Sequence, residues 1–343
     1  MGSAPLNQTF EEAIAVTPIS SHRYSANLRN DWCIGTVPHG GYTTAVLYRL
    51  ATTHFAHTHP TRYNETATPI SIQLAFIRRT AVGPAILTVE DTKLGARTST
   101  IHVKLSQPRE KKQKFGSSSE EEELEVKVAG YITVTPSTAE VGVSTNTGWA
   151  VYPPTHPGTG PEGKVNLGNL SSTGQDGEWT RQVAPFPDFR RATQQLELFG
   201  PDSKAKKSQV VDQWARFRPG GDQGGRWSNE AVVFLTDMFP MALDGLDSMS
   251  AAASGVYAQD TTDKKQLAKF WYPTVTLNID LTKRMPVEGV EWLYSRVQIK
   301  VVRNGRTEIE VAILDEAGET VAFSTQVGLV VSASRNVGKR SML

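Results

Sequence analysis

The fold of this chain is set by a ten-residue pattern that occurs twice, first as Ile70-Ser71-Ile72-Gln73-Leu74-Ala75-Phe76-Ile77-Arg78-Arg79 and again as Val275-Thr276-Leu277-Asn278-Ile279-Asp280-Leu281-Thr282-Lys283-Arg284. In both copies apolar residues alternate with small or polar ones, which is typical of a β-strand that buries one face. A pair of basic residues ends each copy. We therefore expect the chain to contain two copies of one structural unit.

The sequence around each copy repeats the same order of elements. In the first half, a helix-type spacing of apolar residues from Pro38-His39-Gly40-Gly41-Tyr42 to Phe55 precedes the pattern. Further strands are expected after it, at 85–90, 98–106 and 126–134. The second half offers a strand at 210–217, a Gly-rich turn, a helix over 228–243, and strands at 275–281, 308–314 and 320–331.

One helix followed by several antiparallel strands, occurring twice, predicts an α+β fold in which each sheet wraps its own helix. Such an arrangement is the hotdog fold, here as two tandem hotdog domains, a double hotdog. We expect an N-terminal hotdog domain over 1–135, a largely irregular linker over 136–208 that is rich in Pro, Gly, Ser and Thr at its start, and a C-terminal hotdog domain over 209–343. The charged stretch 107–125 is interpreted as a solvated hairpin loop, with a docking loop as the alternative.

Composition narrows the class of protein. The 343 residues include 36 Lys plus Arg and 35 Asp plus Glu, a net charge of +1, which gives no electrostatic signal for nucleic acid. With one cysteine, Cys33, no apolar leader and no run long enough to span a membrane, we expect a soluble intracellular chain. Its last residues, Ser341-Met342-Leu343, resemble a peroxisomal address, so a peroxisomal location and an ordinary cytoplasmic one with a frayed tail both stay open.

Three polar residues stand out in apolar surroundings. Asp237 lies among Val232, Val233, Phe234, Leu235, Met238 and Phe239, where an ionised carboxylate needs partners or a task, and Pro240 just after it could bend the helix. Gln326 interrupts a nearly continuous apolar run and suggests a buried hydrogen-bonding role. Thr274 begins the second copy of the strand pattern. Taken singly, each is also compatible with a structural role: a solvent-facing Asp, a sheet-face Gln and a commonplace strand Thr.

Several stretches resemble the acyl-CoA thioesterase II family of double-hotdog enzymes and the related thioesterase-like proteins. The similar stretches are His39-Gly40-Gly41, Phe234-Leu235-Thr236-Asp237, Pro273-Thr274-Val275-Thr276-Leu277, Glu291-Trp292-Leu293-Tyr294-Ser295 and Val321-Ala322-Phe323-Ser324-Thr325-Gln326-Val327-Gly328. The resemblance implies that Asp237, Thr274 and Gln326 hold the nucleophilic water of a thioester hydrolase. The implied substrates are acyl-CoA or a carrier-bound acyl thioester, in fatty acid and lipid metabolism, and the implied assembly is a homo-oligomer, at least a dimer.

The thioester hydrolysis that this resemblance implies needs neither cofactor nor metal. A thioester carbonyl is already activated, so the site must position water, accept its proton and stabilise the oxyanion. We expect Asp237 to take the proton while Thr274 and Gln326 orient the water. The helix start at Gly40 and Gly41 would meet the thioester as a substrate-binding element, and His39 is interpreted as a cap of that helix rather than a base.

Other kinds of site find little support. There is no Gly-x-Ser-x-Gly elbow and no His, Cys or Glu grouping with the spacing of a metal site, and His54, His57 and His59 are expected to end a helix and reach solvent. Two alternative functions remain open: a hotdog protein that binds an acyl or polyketide ligand without turnover, and a hotdog hydratase or dehydratase.

Overall fold

The computed structural model describes residues 9–63, 67–109, 123–202, 210–243 and 268–337. Most of the charged loop expected within 107–125 and the whole of Ser341-Met342-Leu343 lie outside these residues. In the part of the chain so described, no helix is long and apolar enough to cross a membrane.

Helices α1 to α7 are, in chain order, Phe10–Ala13, Gly40–Thr58, Pro60–Tyr63, Leu167–Thr173, Asn229–Leu235, Pro240–Leu243 and Ser334–Val337. Strands β1 to β18 are Thr17–Ser20, Arg23–Leu28, Cys33–Ile34, Val37–Pro38, Ala67–Phe76, Gly83–Leu94, Ser99–Pro108, Leu124–Pro136, Gln175–Asp176, Trp179–Gln182, Leu196–Pro201, Val210–Phe217, Phe270–Trp271, Thr274–Leu281, Trp292–Arg303, Arg306–Leu314, Thr320–Leu329 and Val331–Ser332.

The large sheet is antiparallel and has a mirrored strand order. Its strands run β1-β2-β6-β7-β8-β5-β14-β17-β16-β15-β12-β11-β10-β9. The two copies of the ten-residue pattern, β5 and β14, meet at its centre, where Leu74 pairs with Leu277 and Ile72 with Ile279. On either side the strands follow in equivalent order, so the expectation of an α+β double hotdog is confirmed.

The long helix α2 is the central element of the first half. Residues such as Tyr42, Leu47 and Leu50 are buried on all its sides, as in a helix that a sheet wraps. Its first turn packs against α5 so closely that a Cβ on Gly41 would lie 2.6 Å from the Phe234 carbonyl oxygen. Only glycine permits this approach, which brings the start of α2 to the end of α5.

A two-residue turn fixes the longest hairpin of the second half. Asn304 and Gly305 connect β15 to β16 with φ of 51° and 74°, the left-handed conformations of a type I′ turn. Asn and Gly are the residues that adopt these angles most easily, so the sequence at 304–305 specifies the register of both strands.

Two expectations about secondary structure are wrong. The helix predicted over 228–243 ends at Leu235 and a separate turn of helix starts at Pro240, because proline lacks an N–H and disfavours helical conformation in the residue before it. Within the predicted linker 136–208, of which the structure describes 136–202, only the first part is irregular. Its second part forms α4 and strands β10 and β11, which pair in the large sheet next to β12, because apolar residues such as Trp179 and Phe199 pack in a second small core.

Candidate active site

The strongest candidate site lies where α5 ends. Asp237 occupies the turn between Leu235 and Pro240, and only 2% of its surface is exposed. Because the helix stops before it, the carboxylate is directed by the turn and not by the face of a helix. The turn is tied to strand β17, whose Ser324 hydroxyl donates to the Thr236 carbonyl over 3.2 Å.

Each carboxylate oxygen of Asp237 accepts a hydrogen bond from a different half of the chain. The Thr274 hydroxyl donates to Oδ1 over 2.9 Å, and the Gly41 N–H donates to Oδ2 over 2.7 Å. A carboxylate oxygen has two lone pairs, so each retains capacity for one more donor. The site therefore depends on both repeats and forms where α2, α5 and β14 meet.

Thr274 is placed by an irregularity in the sheet. The register between β14 and β17 shifts between Thr274 and Thr276, a bulge that turns the side chain away from the regular alternation. Its hydroxyl oxygen also lies 3.4 Å from Gln326 Oε1. Gln326, 3% exposed, sits behind Thr274, and its amide nitrogen lies 3.5 Å from the Thr236 carbonyl oxygen. The three residues named from the sequence are thus contiguous, with Thr274 in the middle.

The start of α2 closes the other side of the carboxylate. His39 caps the helix, its Nδ1 accepting from the Gly41 N–H over 3.1 Å, as the sequence predicts. That Nδ1 lies 3.7 Å from Asp237 Oδ2. Because Nδ1 is an acceptor, the proton of a neutral imidazole is on Nε2. Gly40 is equally close, since a Cβ there would lie 2.5 Å from Asp237 Oδ2.

Burial has the largest effect on the pKa values of Asp237 and His39. Loss of solvent raises the pKa of Asp237, against the opposing effects of His39 and of the hydrogen bonds from Thr274 and Gly41. Burial also lowers the pKa of His39, although Asp237 acts in the opposite direction. Both shifts favour neutral forms, so His39 is not a charged partner, and the Asp237 carboxyl has a greater proton affinity than an exposed aspartate.

A cavity of about 520 Å³ opens beside this carboxylate. Asp237, Thr274, His39 and Gly40 line it, whereas Gln326 does not. Its volume lies within the range of small-molecule sites. The lining also includes four arginines that sequence reasoning did not select, Arg78, Arg79, Arg190 and Arg335.

The expectation for the histidines is wrong in part. His57 is exposed, as expected, but His54 is fully buried and His59 largely so, because both form hydrogen bonds with Asp91 of β6. His22 joins the same carboxylate. No spacing along the sequence could reveal this cluster, since its members come from a turn, a helix and a strand.

Comparison with known proteins gives matches along most of the chain. Residues 28–134 match the family model of the acyl-CoA thioesterase N-terminal domain, and 155–330 match that of the acyl-CoA thioesterase C-terminal domain. The thioesterase-like protein TwmA of Talaromyces wortmannii is 31% identical over 350 residues, covering 97% of this chain and 94% of that protein.

Solved structures show the same fold. The acyl-CoA thioesterase II TesB2 of Mycobacterium marinum superposes with a TM-score of 0.54 at 14% identity, covering 94% of this chain and 98% of that one. A conserved hot-dog-fold protein of unknown function from Alicyclobacillus acidocaldarius gives 0.60 at 15% identity, with 95% and 98% covered. With both domain models matched in order, the chain belongs to the acyl-CoA thioesterase family of double-hotdog proteins.

Proposed function

We propose that this protein hydrolyses acyl thioesters, of coenzyme A or of a carrier protein, by direct attack of a water molecule for which Asp237 is the base. The observation that carries the proposal is a buried carboxylate, held by Thr274 and Gly41, that faces a cavity of about 520 Å³. Membership of the acyl-CoA thioesterase family supports the reaction class.

In the proposed reaction, a water bound to a free lone pair of Asp237 attacks the thioester carbonyl carbon. Its proton passes to the carboxylate, whose pKa is raised by burial and which is therefore a stronger base than an exposed aspartate. The tetrahedral intermediate then expels the thiolate, which takes the proton back from Asp237. The products are a free acid and a thiol, and the carboxylate is restored.

The surrounding groups supply orientation and charge stabilisation. Thr274, at the cavity wall, fixes the rotamer of Asp237 and with it the position of the water. Gln326, which lies behind the wall, acts as a positioning residue through the turn that carries Asp237, because its amide nitrogen lies 3.5 Å from the Thr236 carbonyl oxygen. For the oxyanion we assign the Gly40 N–H, which belongs to the helix turn whose N–H groups have no intrahelical partner. His39, with its proton on Nε2, is a second candidate donor at the cavity.

The charge of the cavity supports a phosphate-bearing thiol. Four arginines line it, and Arg335 among them is exposed. Guanidinium groups bind phosphate in bidentate fashion, and both coenzyme A and the phosphopantetheine of a carrier protein carry phosphate. We propose that the thiol end of the substrate lies along this arginine-lined side while the acyl group enters the cavity.

Replacement of Asp237 by Asn tests the proposal. Short, medium and long acyl-CoAs are offered to the wild type and to Asp237→Asn, and free thiol is measured. We expect the variant to bind substrate and to lose most of its turnover, roughly 100-fold or more for a general base. The matched control is Asp280→Asn, the same change at an exposed position of β14.

We expect Asp237→Asn to fold and to be as stable as the wild type. Because burial raises the folded-state pKa of Asp237, the ionised carboxylate that the reaction needs costs stability, and this cost appears as pH rises through that pKa. An Asn is neutral at every pH, so Asp237→Asn should melt no lower than wild type at pH 7. Full thiol release by Asp237→Asn would refute the proposed base, and wild-type binding without any thiol release would identify a non-catalytic binder.

A further inference from the structure

The segment 331–337 forms part of the wall of the cavity beside Asp237. Its first residues, strand β18, pair with β13, so that Val331 lies opposite Trp271, and α7 follows. Phe270 and Trp271 of β13 and Arg335 of α7 line the cavity. The segment lies beyond 155–330, the residues that match the model of the C-terminal domain. The match to the family therefore does not include this part of the wall.

Asn336 joins this segment to a second part of the wall. It has no exposed surface, and its side chain binds the turn between β3 and β4, 300 positions earlier in the chain. Its Oδ1 accepts from the Thr36 N–H over 2.8 Å, and its Nδ2 donates to the Ile34 carbonyl over 2.8 Å. The Thr36 hydroxyl also donates to the Asn336 carbonyl over 2.7 Å. A Cβ on Gly35 would overlap the Asn336 amide, so this close contact requires glycine at position 35.

The hairpin that Asn336 holds leads directly into the candidate active site. Its two strands are paired, and Ile34, Val37 and Pro38 line the cavity. The next residue, His39, donates its N–H to the Trp32 carbonyl over 2.8 Å and caps α2. Asn336 thus fixes α7 to the same hairpin that carries the start of α2.

Arg335 is the cavity arginine whose guanidinium remains available to a ligand. The Arg79 guanidinium donates to the backbone carbonyls of Arg335, over 2.5 Å, and Asn336, over 3.2 Å. Arg78 pairs with Glu125 over 2.7 Å. Among the described residues the guanidinium of Arg335 has no such partner, and it is exposed. Its backbone is held by the two neighbouring contacts, while its charged end reaches solvent at the cavity.

We propose that Asn336 is a positioning residue that holds Arg335 at the mouth of the cavity, where the guanidinium binds a phosphate of the substrate's thiol end. The inference rests on the proposed function, in which that end lies along the arginine-lined side. A segment that is already fixed does not have to be ordered when the ligand binds, and this increases affinity. Without the Asn336 amide, α7 would lose its attachment to the hairpin, and binding would have to restore it.

The test measures binding of coenzyme A itself, by calorimetry, so that it does not depend on turnover. Four full-length proteins are compared: wild type, Asn336→Ala, Arg335→Ala and the double variant. We expect each single substitution to weaken binding about fivefold, the upper end for an exposed charge pair. Because Asn336 acts through Arg335, the double variant should bind no more weakly than Arg335→Ala alone. A residue that only stabilises the fold would instead give independent losses.

Two further variants complete the test. Thr36→Val, at an exposed position, removes the hydroxyl bond to the Asn336 carbonyl and leaves the buried amide in place, so it should weaken binding by a smaller factor even if Asn336→Ala fails to fold. The matched control is Asn278→Ala, the same change as in Asn336→Ala at an exposed position of β14, which should bind as the wild type does.

Three results would overturn the proposal: no binding of coenzyme A by the wild type, wild-type affinity in both Asn336→Ala and Thr36→Val, or additive losses in the double variant. Thiol release by the same proteins separates this inference from the proposed function. Hydrolysis by the wild type together with unchanged affinity in the variants would refute the role of Asn336 alone. Coupled losses of affinity in a chain that releases no thiol would refute the hydrolysis alone.

Discussion

The replacement of Thr274 by Val tests how the carboxylate is controlled. The substitution keeps the branched shape of the side chain and removes the hydroxyl that donates to Asp237 Oδ1 over 2.9 Å. A hydrogen bond to a charged group contributes about 1.5–3 kcal/mol. Since 1.36 kcal/mol is a tenfold change in proton affinity, its loss would raise the proton affinity of Asp237 by about 10- to 100-fold. Water from the cavity can replace part of the bond, so the lower end is expected.

The sign of the effect follows from the role of the base. Asp237 must be ionised to accept a proton, and burial already raises its pKa, so kcat/KM for thioester hydrolysis should fall on the acid side below that pKa. In Thr274→Val the decline of kcat/KM should begin at higher pH, at a proton concentration lower by a factor of about ten or more. Thr274→Ser should restore the wild-type profile, and Thr276→Val, the same chemical change two residues along β14, should leave it unmoved. A Thr274→Val profile that superposes on the wild type would refute the reasoning.

Two more substitutions examine the helix start and the arginines. Gly41→Ala forces a methyl group to within 2.6 Å of the Phe234 carbonyl oxygen, so urea unfolding should show a free energy of unfolding lower by about 1–3 kcal/mol. Thiol release should fall with it. An unchanged free energy of unfolding would contradict the close contact of α2 and α5. Arg335→Ala removes an exposed charge at the cavity, worth up to about 1 kcal/mol, so KM for acyl-CoA should rise about fivefold at constant kcat. An N-acetylcysteamine thioester, which lacks phosphate, should show no such change.

The elements that sequence alone predicts best are those defined by local patterns. The alternation in 70–79 and 275–284 predicts two strands, and the structure pairs them with each other at the centre of the sheet. The Asn304-Gly305 turn is equally local, because its φ angles are a property of the two residues themselves. Repetition of such patterns, in the same order, was enough to predict the double-hotdog fold.

The features that escaped prediction depend on packing between distant elements. From Ala231 to Leu243 only Thr236 and Asp237 are polar, so periodicity could not show that Asp237 lies in a turn after the helix, although Pro240 was a local sign of it. His54 and Asp91 are 37 positions apart, and their contact depends on how α2 lies across β6. Family resemblance grouped Asp237, Thr274 and Gln326, but the contact of Gly41 with the carboxylate became visible only in three dimensions.

The internal repeat also explains why the described residues contain one such site, although the symmetry of the repeat would allow two. The bulge that re-aims Thr274 has a counterpart in the first half, where the register of β5 and β8 shifts just after Pro69, the residue that precedes the first copy of the pattern. Gln326 faces Leu277 across β17 and β14, and the equivalent place opposite Ile72 is held by Ile132. Proline and isoleucine offer no hydroxyl or amide to a carboxylate or to water. The first half therefore has the same strands and bulge as the second but lacks the polar side chains that correspond to Thr274 and Gln326. Its contribution to the site in the second half is the start of α2, which supplies N–H groups.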